Sequence, residues 1–132
     1  AALLRGNPEV VGLDTEWADR DTVALLQLAT QDACVLVRLP QMASVPPVLA
    51  SLLGSDGPIK CGVSIARDLE LLQLQFGIPA SEGFVDLRAP ALQHGHAGKG
   101  LGLSAICESV LGRPLCKAPH LRCSDWAGPL SP

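Results

Sequence analysis

The sequence VVGLDTEW, residues 10–17, joins an apolar, β-branched run to two acidic residues, Asp14 and Glu16. The apolar half is typical of a buried strand. Because residues i and i+2 of a strand point to the same face, both carboxylates should lie on one side of a sheet. Two carboxylates withdrawn from water repel each other unless a cation lies between them. The pattern therefore predicts a buried strand that ends at a site for a hard divalent ion with oxygen ligands.

A simpler interpretation is that Asp14 and Glu16 lie solvated at a frayed strand end, and the common D-x-E spacing alone favours it. A third acid, Asp68, changes the balance because it falls in the first turn of a predicted helix, where an acid complements the helix dipole. That helix follows a predicted strand at residues 59–64. It would face the end of the first strand if these two strands are neighbours in the sheet. Taken alone, Asp68 is more often an ordinary helix-start acid.

The remaining segments predict a mixed α/β fold. The first three strands favour an antiparallel meander, and alternating helices and strands follow, which is the pattern of a mixed sheet flanked by helices. Besides the first strand, periodicity and turn residues predict strands over residues 23–30, 33–39, 59–64 and 83–87, and helices over residues 46–53, 65–76, 88–93 and 103–111.

Composition limits the classes of protein to consider. The chain has 132 residues, 48% of them hydrophobic and 17% charged, so we expect one folded domain. No apolar run approaches the roughly 20 residues that span a bilayer, and we expect a soluble chain. A net charge of −3 argues against a strongly electrostatic nucleic-acid binder, but not against an enzyme that holds phosphates through bound cations. Five cysteines without a C-x-x-C pair favour reduced thiols and an intracellular location.

Six segments match, in order, the motifs of a known enzyme family. They are VGLDTEW (11–17) for the first motif, LLQLA (25–29) for the next strand, KCGVSIARD (60–68) for the second motif, and FVDLR (84–88), GLS (102–104) and RCSDW (122–126) for connecting segments. Together they resemble the DEDD superfamily of 3′–5′ exonucleases, in particular the Werner-type exonuclease domain and the exonuclease 3′–5′ domain-containing proteins. The resemblance runs from about residue 10 to residue 126.

The resemblance implies a ribonuclease H-like fold and two Mg²⁺ or Mn²⁺ ions at the carboxylates. Asp14 would bridge both ions, Glu16 would ligate one and help to place the attacking water, and Asp68 would support the second. The implied reaction is two-metal-ion phosphodiester hydrolysis that releases mononucleotides from the 3′ end of DNA or RNA. The resemblance also suggests a role in DNA repair and a location in the nucleus or the mitochondrion.

Four further residues are candidate substrate contacts. By the resemblance, Trp17, Leu26 and Gln27 would lie near the terminal base, although burial within the sheet suits Leu26, and suits Trp17 equally well. Lys99 lies in a glycine-rich loop, residues 95–102, and could meet a phosphate.

The chain departs from the family pattern at the third motif, a helix that carries Tyr-x-x-x-Asp. The 132 residues contain no tyrosine, and none of the six residues after Trp126 is acidic. The sequence therefore predicts a C-terminally incomplete exonuclease-like domain over residues 1–126, a disordered tail over residues 127–132, and little or no hydrolysis. The alternative is an inactive nuclease-like module that binds nucleic acid or protein.

Overall fold

The computed structural model describes residues 5–79, 83–122 and 124–129. Its strands are β1 (Val10–Trp17), β2 (Val23–Ala29), β3 (Cys34–Val37), β4 (Ile59–Gly62) and β5 (Phe84–Asp86). Its helices are α1 (Pro47–Leu53), α2 (Ile65–Phe76), α3 (Arg88–Gln93), α4 (Leu103–Leu111) and α5 (Pro119–Arg122), with a 3₁₀ turn at Leu39–Gln41.

The five strands form a mixed sheet in the order β3-β2-β1-β4-β5, with β1 at its centre. Strands β1, β2 and β3 pair antiparallel, which confirms the predicted meander, and β4 and β5 run parallel to β1. Because β1 and β4 are parallel neighbours, their carboxyl ends meet at one edge of the sheet. This pairing fulfils the condition set out for Asp68, because it brings the start of α2 beside the end of β1.

Helix α2 has the predicted bounds and ends at Gly77, whose φ of 64° is left-handed. The predicted strand at residues 59–64 is two residues too long, because the chain turns out of the sheet after Gly62 to enter α2. Ser64 makes that turn in a left-handed conformation, with φ 58°. The four-residue helix α5 was not predicted, since the residues around it have no hydrophobic period.

The hydrophobic core lies on one side of β1. Burial alternates along the strand, so that Val11, Leu13 and Thr15 are buried while the residues between them are partly exposed. Leu69 and Leu72 of α2 pack in the same core cluster. Each fully buried aliphatic side chain of this kind contributes about 1.5–3 kcal/mol of transfer free energy. The pleat of the strand therefore directs Asp14 and Glu16 away from the core.

Gly62 allows β4 to pack directly against β1. A Cβ atom at this position would lie 2.4 Å from the Leu13 carbonyl oxygen and 2.5 Å from Cγ2 of Ile65. Any side chain at this position would push the end of β4 and the start of α2 away from β1. The displacement would occur beside Asp14, the residue that follows Leu13. A glycine within a strand commonly marks such a close backbone approach.

Lys60, which lies two residues before this contact, is inaccessible to solvent, and its Nζ donates a 2.8 Å hydrogen bond to the Gly54 carbonyl. Burial lowers the pKa of this lysine. Cys34, Cys61, Cys107 and Cys116 are free thiols. None of the described helices is both long and apolar enough to cross a membrane.

Candidate functional site

An open cleft of about 660 Å³ lies where β1 ends and α2 begins. Three separate segments of the chain line it. Strand β1 contributes its last four residues, Asp14 to Trp17, and α2 contributes Arg67 and Asp68. The segment after α5 contributes Ser124 and Trp126. The three predicted acids therefore share one cleft.

Asp14 and Glu16 are partly buried carboxylates on the same face of β1. Oδ1 of Asp14 accepts a 2.9 Å hydrogen bond from the Thr15 backbone, and Oε1 of Glu16 accepts a 3.3 Å bond from Nε2 of Gln27. Burial raises the pKa of both acids. Repulsion by Asp68 also raises the pKa of Asp14, and repulsion by Asp14 raises that of Glu16.

No basic side chain offsets these charges within the part of the chain that the structure describes. Arg67 lines the cleft, but its guanidinium group pairs with Asp21 at 3.0 Å and with Glu70 at 2.6 Å. Like charges in a partly desolvated site without a counter-ion favour the binding of a cation.

Asp68 is held by the core face of β1. Its Oδ1 accepts a 2.6 Å hydrogen bond from the Thr15 hydroxyl and a 3.1 Å bond from Nε1 of Trp17. The same indole nitrogen lies 2.8 Å from the Thr15 hydroxyl oxygen, so the three side chains form a closed network. Burial raises the pKa of Asp68, and the two donors lower it in part.

The three predicted metal ligands share the cleft but do not form one cluster in the described residues. Across residues 5–79, 83–122 and 124–129, no three acidic, histidine or cysteine side chains are arranged to hold one metal ion. Asp14 and Glu16 have the hard oxygen donors that Mg²⁺ and Mn²⁺ prefer, and Mg²⁺ is usually held by one or two carboxylates together with water and phosphate oxygens. Asp68 has one oxygen committed to Thr15 and Trp17. The residues thus fit one ion at Asp14 and Glu16 better than a preformed pair of ions.

The predicted substrate contacts divide into two groups. Trp17 lines the cleft, and Gln27 contacts Glu16 beside it. Leu26 is fully buried in the core because it pairs with Thr15 across β1 and β2, so its prediction as a base contact is corrected to a core residue. Lys99 does not line the cleft and forms an exposed ion pair with Glu108 of α4, so its contact with a phosphate stays a prediction.

Sequence reasoning missed several residues that line the cleft, namely Thr15, Arg67, Ser124 and Trp126. Trp126 is presented by a turn that long-range contacts hold in place. The backbone N–H groups of Ala127 and Gly128 both donate to Oδ1 of Asp125, each at 3.2 Å. Nη2 of Arg38 donates a 2.6 Å hydrogen bond to the Gly128 carbonyl, across 90 residues of sequence. Residues 125–128 therefore form an anchored turn. Residues 130–132 lie outside the described residues, and the disordered tail over residues 127–132 stays a prediction. The RCSDW sequence, residues 122–126, was recognised only as a segment that connects family motifs, and it gave no sign that Trp126 lines the cleft.

A protein-family model described as 3′-5′ exonuclease matches residues 2–131. The chain belongs to the 3′–5′ exonuclease family. Human Exonuclease 3′-5′ domain-containing protein 2 is 35% identical over 138 residues, which cover 94% of this chain and 22% of that protein. The mouse Bifunctional 3′-5′ exonuclease/ATP-dependent helicase WRN is 32% identical over 126 residues, which cover 90% of this chain and 9% of that protein. The chain therefore spans 22% or less of the length of these curated relatives.

Crystal structures of the EXD2 exonuclease domain support the same assignment. The domain soaked in Mn and dGMP and the domain soaked in Mg and dGMP are each 33% identical to this chain, with a TM-score of 0.63. The match covers 99% of this chain and 69% and 70% of those two chains. This similarity confirms the predicted ribonuclease H-like α/β class, with its mixed sheet flanked by helices.

Proposed function

We propose that this domain binds Mg²⁺ or Mn²⁺ at Asp14 and Glu16. The bound ion would hold the phosphate group of the 3′-terminal nucleotide of a DNA or RNA strand. One observation carries the proposal: two partly buried carboxylates lie on one face of β1, with raised pKa values and no basic partner among the described residues. The soaking of the similar EXD2 domain in Mn or Mg with dGMP supports it.

The chain's own residues perform distinct tasks in this proposal. Asp14 and Glu16 hold the cation, and Gln27 orients Glu16 by donating to its Oε1. Thr15 and Trp17 fix Asp68 at the edge of the same cleft. A bound divalent ion supplies Lewis-acid stabilisation of phosphate charge and lowers the pKa of water. The cleft volume of about 660 Å³ is in the usual range for a small-molecule site and suits one terminal nucleotide.

The same residues also bear on how fast a bound strand is hydrolysed. A two-ion site needs a ligand for the second ion, and Asp68 could offer it Oδ2, since Oδ1 already accepts hydrogen bonds from Thr15 and Trp17. The chain has no tyrosine to orient a water as in the family's third motif. We therefore expect this polypeptide to bind a 3′ end and to hydrolyse it slowly.

The alternative is an inactive nuclease-like module that binds nucleic acid or protein. The absence of a tyrosine from the chain, and with it of the tyrosine of the family's third motif, favours this alternative. It differs from slow hydrolysis in one respect: the 3′ end should bind without any shortening of the strand.

The test uses a 5′-labelled single-stranded oligonucleotide with Mn²⁺, and compares the wild-type chain with Asp14→Asn and with the EXD2 exonuclease domain in the same assay. Slow hydrolysis predicts a 3′-shortened ladder that depends on Asp14 and forms at least tenfold more slowly than with the EXD2 domain. A ladder as fast as that of the EXD2 domain would contradict impairment. Binding without a ladder would establish the alternative, and the loss of both would contradict the proposed function.

A further inference from the structure

We infer that Trp126 is the platform on which the 3′-terminal nucleobase stacks in the acidic cleft. This inference rests on the function proposed for the cleft and adds the residue that contacts the base. The chain has two tryptophans, and both line this cleft. They differ in the contacts of the indole N–H group, and that difference assigns them different roles.

Trp17 belongs to the wall of the cleft. Its indole N–H lies within hydrogen-bond distance of Thr15 and Asp68, which ties the ring to the junction between β1 and α2. Trp17 also packs against the hydrophobic core. Its ring is thus committed to holding Asp68 in place, and we assign it as a positioning residue rather than as the base contact.

Trp126 is presented to the cleft by an anchored turn. Oδ1 of Asp125 accepts two backbone hydrogen bonds inside the turn, and Arg38 holds the Gly128 carbonyl from the end of β3. On the other side of the turn, the Ser124 hydroxyl donates a 2.8 Å hydrogen bond to the His120 carbonyl. A side chain on a preordered segment binds a ligand without the entropic cost of ordering a loop. Trp126 remains partly exposed, so its ring is available to a ligand in the cleft.

The chemistry of the cleft suits a nucleotide. Carboxylates that bind a cation would hold the phosphate, and an aromatic ring in the same cleft would hold the base. Stacking of a nucleobase on an aromatic side chain is worth about 1–3 kcal/mol and tolerates any base, because every base has a π-face. Platform and cation site together account for recognition of a 3′-terminal nucleotide without sequence preference.

The experiment is a fluorescence titration of the full chain with dGMP and Mg²⁺, with 2-deoxyribose 5-phosphate as the matched ligand that lacks a base. In Trp17→Phe only Trp126 emits, and in Trp126→Phe only Trp17 emits. We expect dGMP to quench Trp126 emission in a saturable manner, the sugar phosphate to leave it unchanged, and neither ligand to quench Trp17 strongly. Trp126→Ala should weaken dGMP binding by about 5- to 150-fold, the fold-change that corresponds to the stacking free energy, and leave sugar phosphate binding within twofold.

Three results would overturn the inference. Equal dGMP affinity in Trp126→Ala and wild type, with binding lost in Asp14→Asn, would remove Trp126 as the platform while the cation site stands. Base-dependent quenching of Trp17 instead of Trp126 would transfer the platform to β1. Absence of Mg²⁺-dependent binding of either ligand to the wild-type chain would overturn the proposed function as well. Trp126→Phe, which keeps an aromatic face, should retain dGMP affinity within a few-fold and separates loss of stacking from loss of folding.

Discussion

Oδ1 of Asp68 lies 2.6 Å from the hydroxyl oxygen of Thr15, the residue between the two acids of β1. This contact joins the second acidic segment to the first across 53 residues of sequence. It also reverses the simplest expectation for the site, because Asp68 binds the core side of β1 whereas Asp14 and Glu16 project from the other side. Thr15 therefore fixes the position of Asp68 relative to the two acids of β1.

Thr15→Val removes this donor at nearly constant volume. The buried Asp68 carboxylate then loses a strong hydrogen bond, and we expect the free energy of unfolding to fall by about 1.5–3 kcal/mol. Urea denaturation at neutral pH measures the change, and Thr15→Ser, which keeps the hydroxyl, is the matched control. Equal stability of the Val variant and the wild type would show that the contact contributes nothing to stability.

The acidic cleft should make the metal-free chain less stable as the pH rises. Burial raises the folded-state pKa of Asp14, Glu16 and Asp68 above the unfolded values. Such groups favour the folded state below their unfolded pKa, and that contribution is lost as the pH rises from about 4 through the raised values. Asp86 acts in the opposite direction, since its hydrogen bonds with Arg88 lower its pKa.

The difference between wild type and Asp14→Asn isolates the contribution of the cleft to the pH dependence, because groups such as Asp86 contribute equally to both chains. Between pH 4 and pH 7, denaturant unfolding without metal should show a smaller loss of stability in Asp14→Asn than in the wild type. Added Mg²⁺ should restore stability to the wild type and not to the variant. Equal stabilisation of both chains by Mg²⁺ would place the cation elsewhere.

Gly62→Ala tests the close contact between β1 and β4. The added Cβ would lie 2.4 Å from the Leu13 carbonyl oxygen, so the strands must separate. Overpacking of this kind costs about 1–3 kcal/mol, and the displaced α2 should also weaken Mn²⁺ binding. Gly98→Ala is the control, because a Cβ there meets no atom within 4 Å. Thermal unfolding and Mn²⁺ titration should separate the two variants; similar behaviour would contradict the packing argument.

Arg38→Met tests the anchor of the turn that carries Trp126. The variant keeps an aliphatic stem but removes the 2.6 Å hydrogen bond to the Gly128 carbonyl. With the turn released, Trp126 should become more exposed, and its emission in the Trp17→Phe background should shift to longer wavelength. An unchanged emission maximum and unchanged dGMP affinity would show that the turn keeps its place without Arg38.

Local patterns in the sequence predicted most of the fold. The bounds of α2 follow from its helical period and Gly77, and the shared face of Asp14 and Glu16 follows from the pleat of a strand. The site was less predictable because its decisive contacts are long-range side-chain bonds. Nothing local to Asp68 shows that it binds Thr15. Likewise, nothing local to Trp126 shows that its turn folds back onto Arg38.

Neighbouring residues of β2 show the same limit. Leu26 and Gln27 resembled the same family segment, yet adjacent strand residues point to opposite faces. Pairing with Thr15 places Leu26 in the core, and pairing with Asp14 leaves Gln27 beside Glu16. Only the register between β1 and β2 decides which of the two approaches the cleft.

The most direct test of the account is Mn²⁺ binding, followed by the electron paramagnetic resonance signal of the free ion. Wild type, Asp14→Asn and Glu16→Gln are titrated under the same conditions, with circular dichroism to establish that each is folded. The account predicts a saturable site in the wild type whose affinity falls at least tenfold in either variant. Wild-type affinity in a folded Asp14→Asn chain would contradict a cation site at the end of β1.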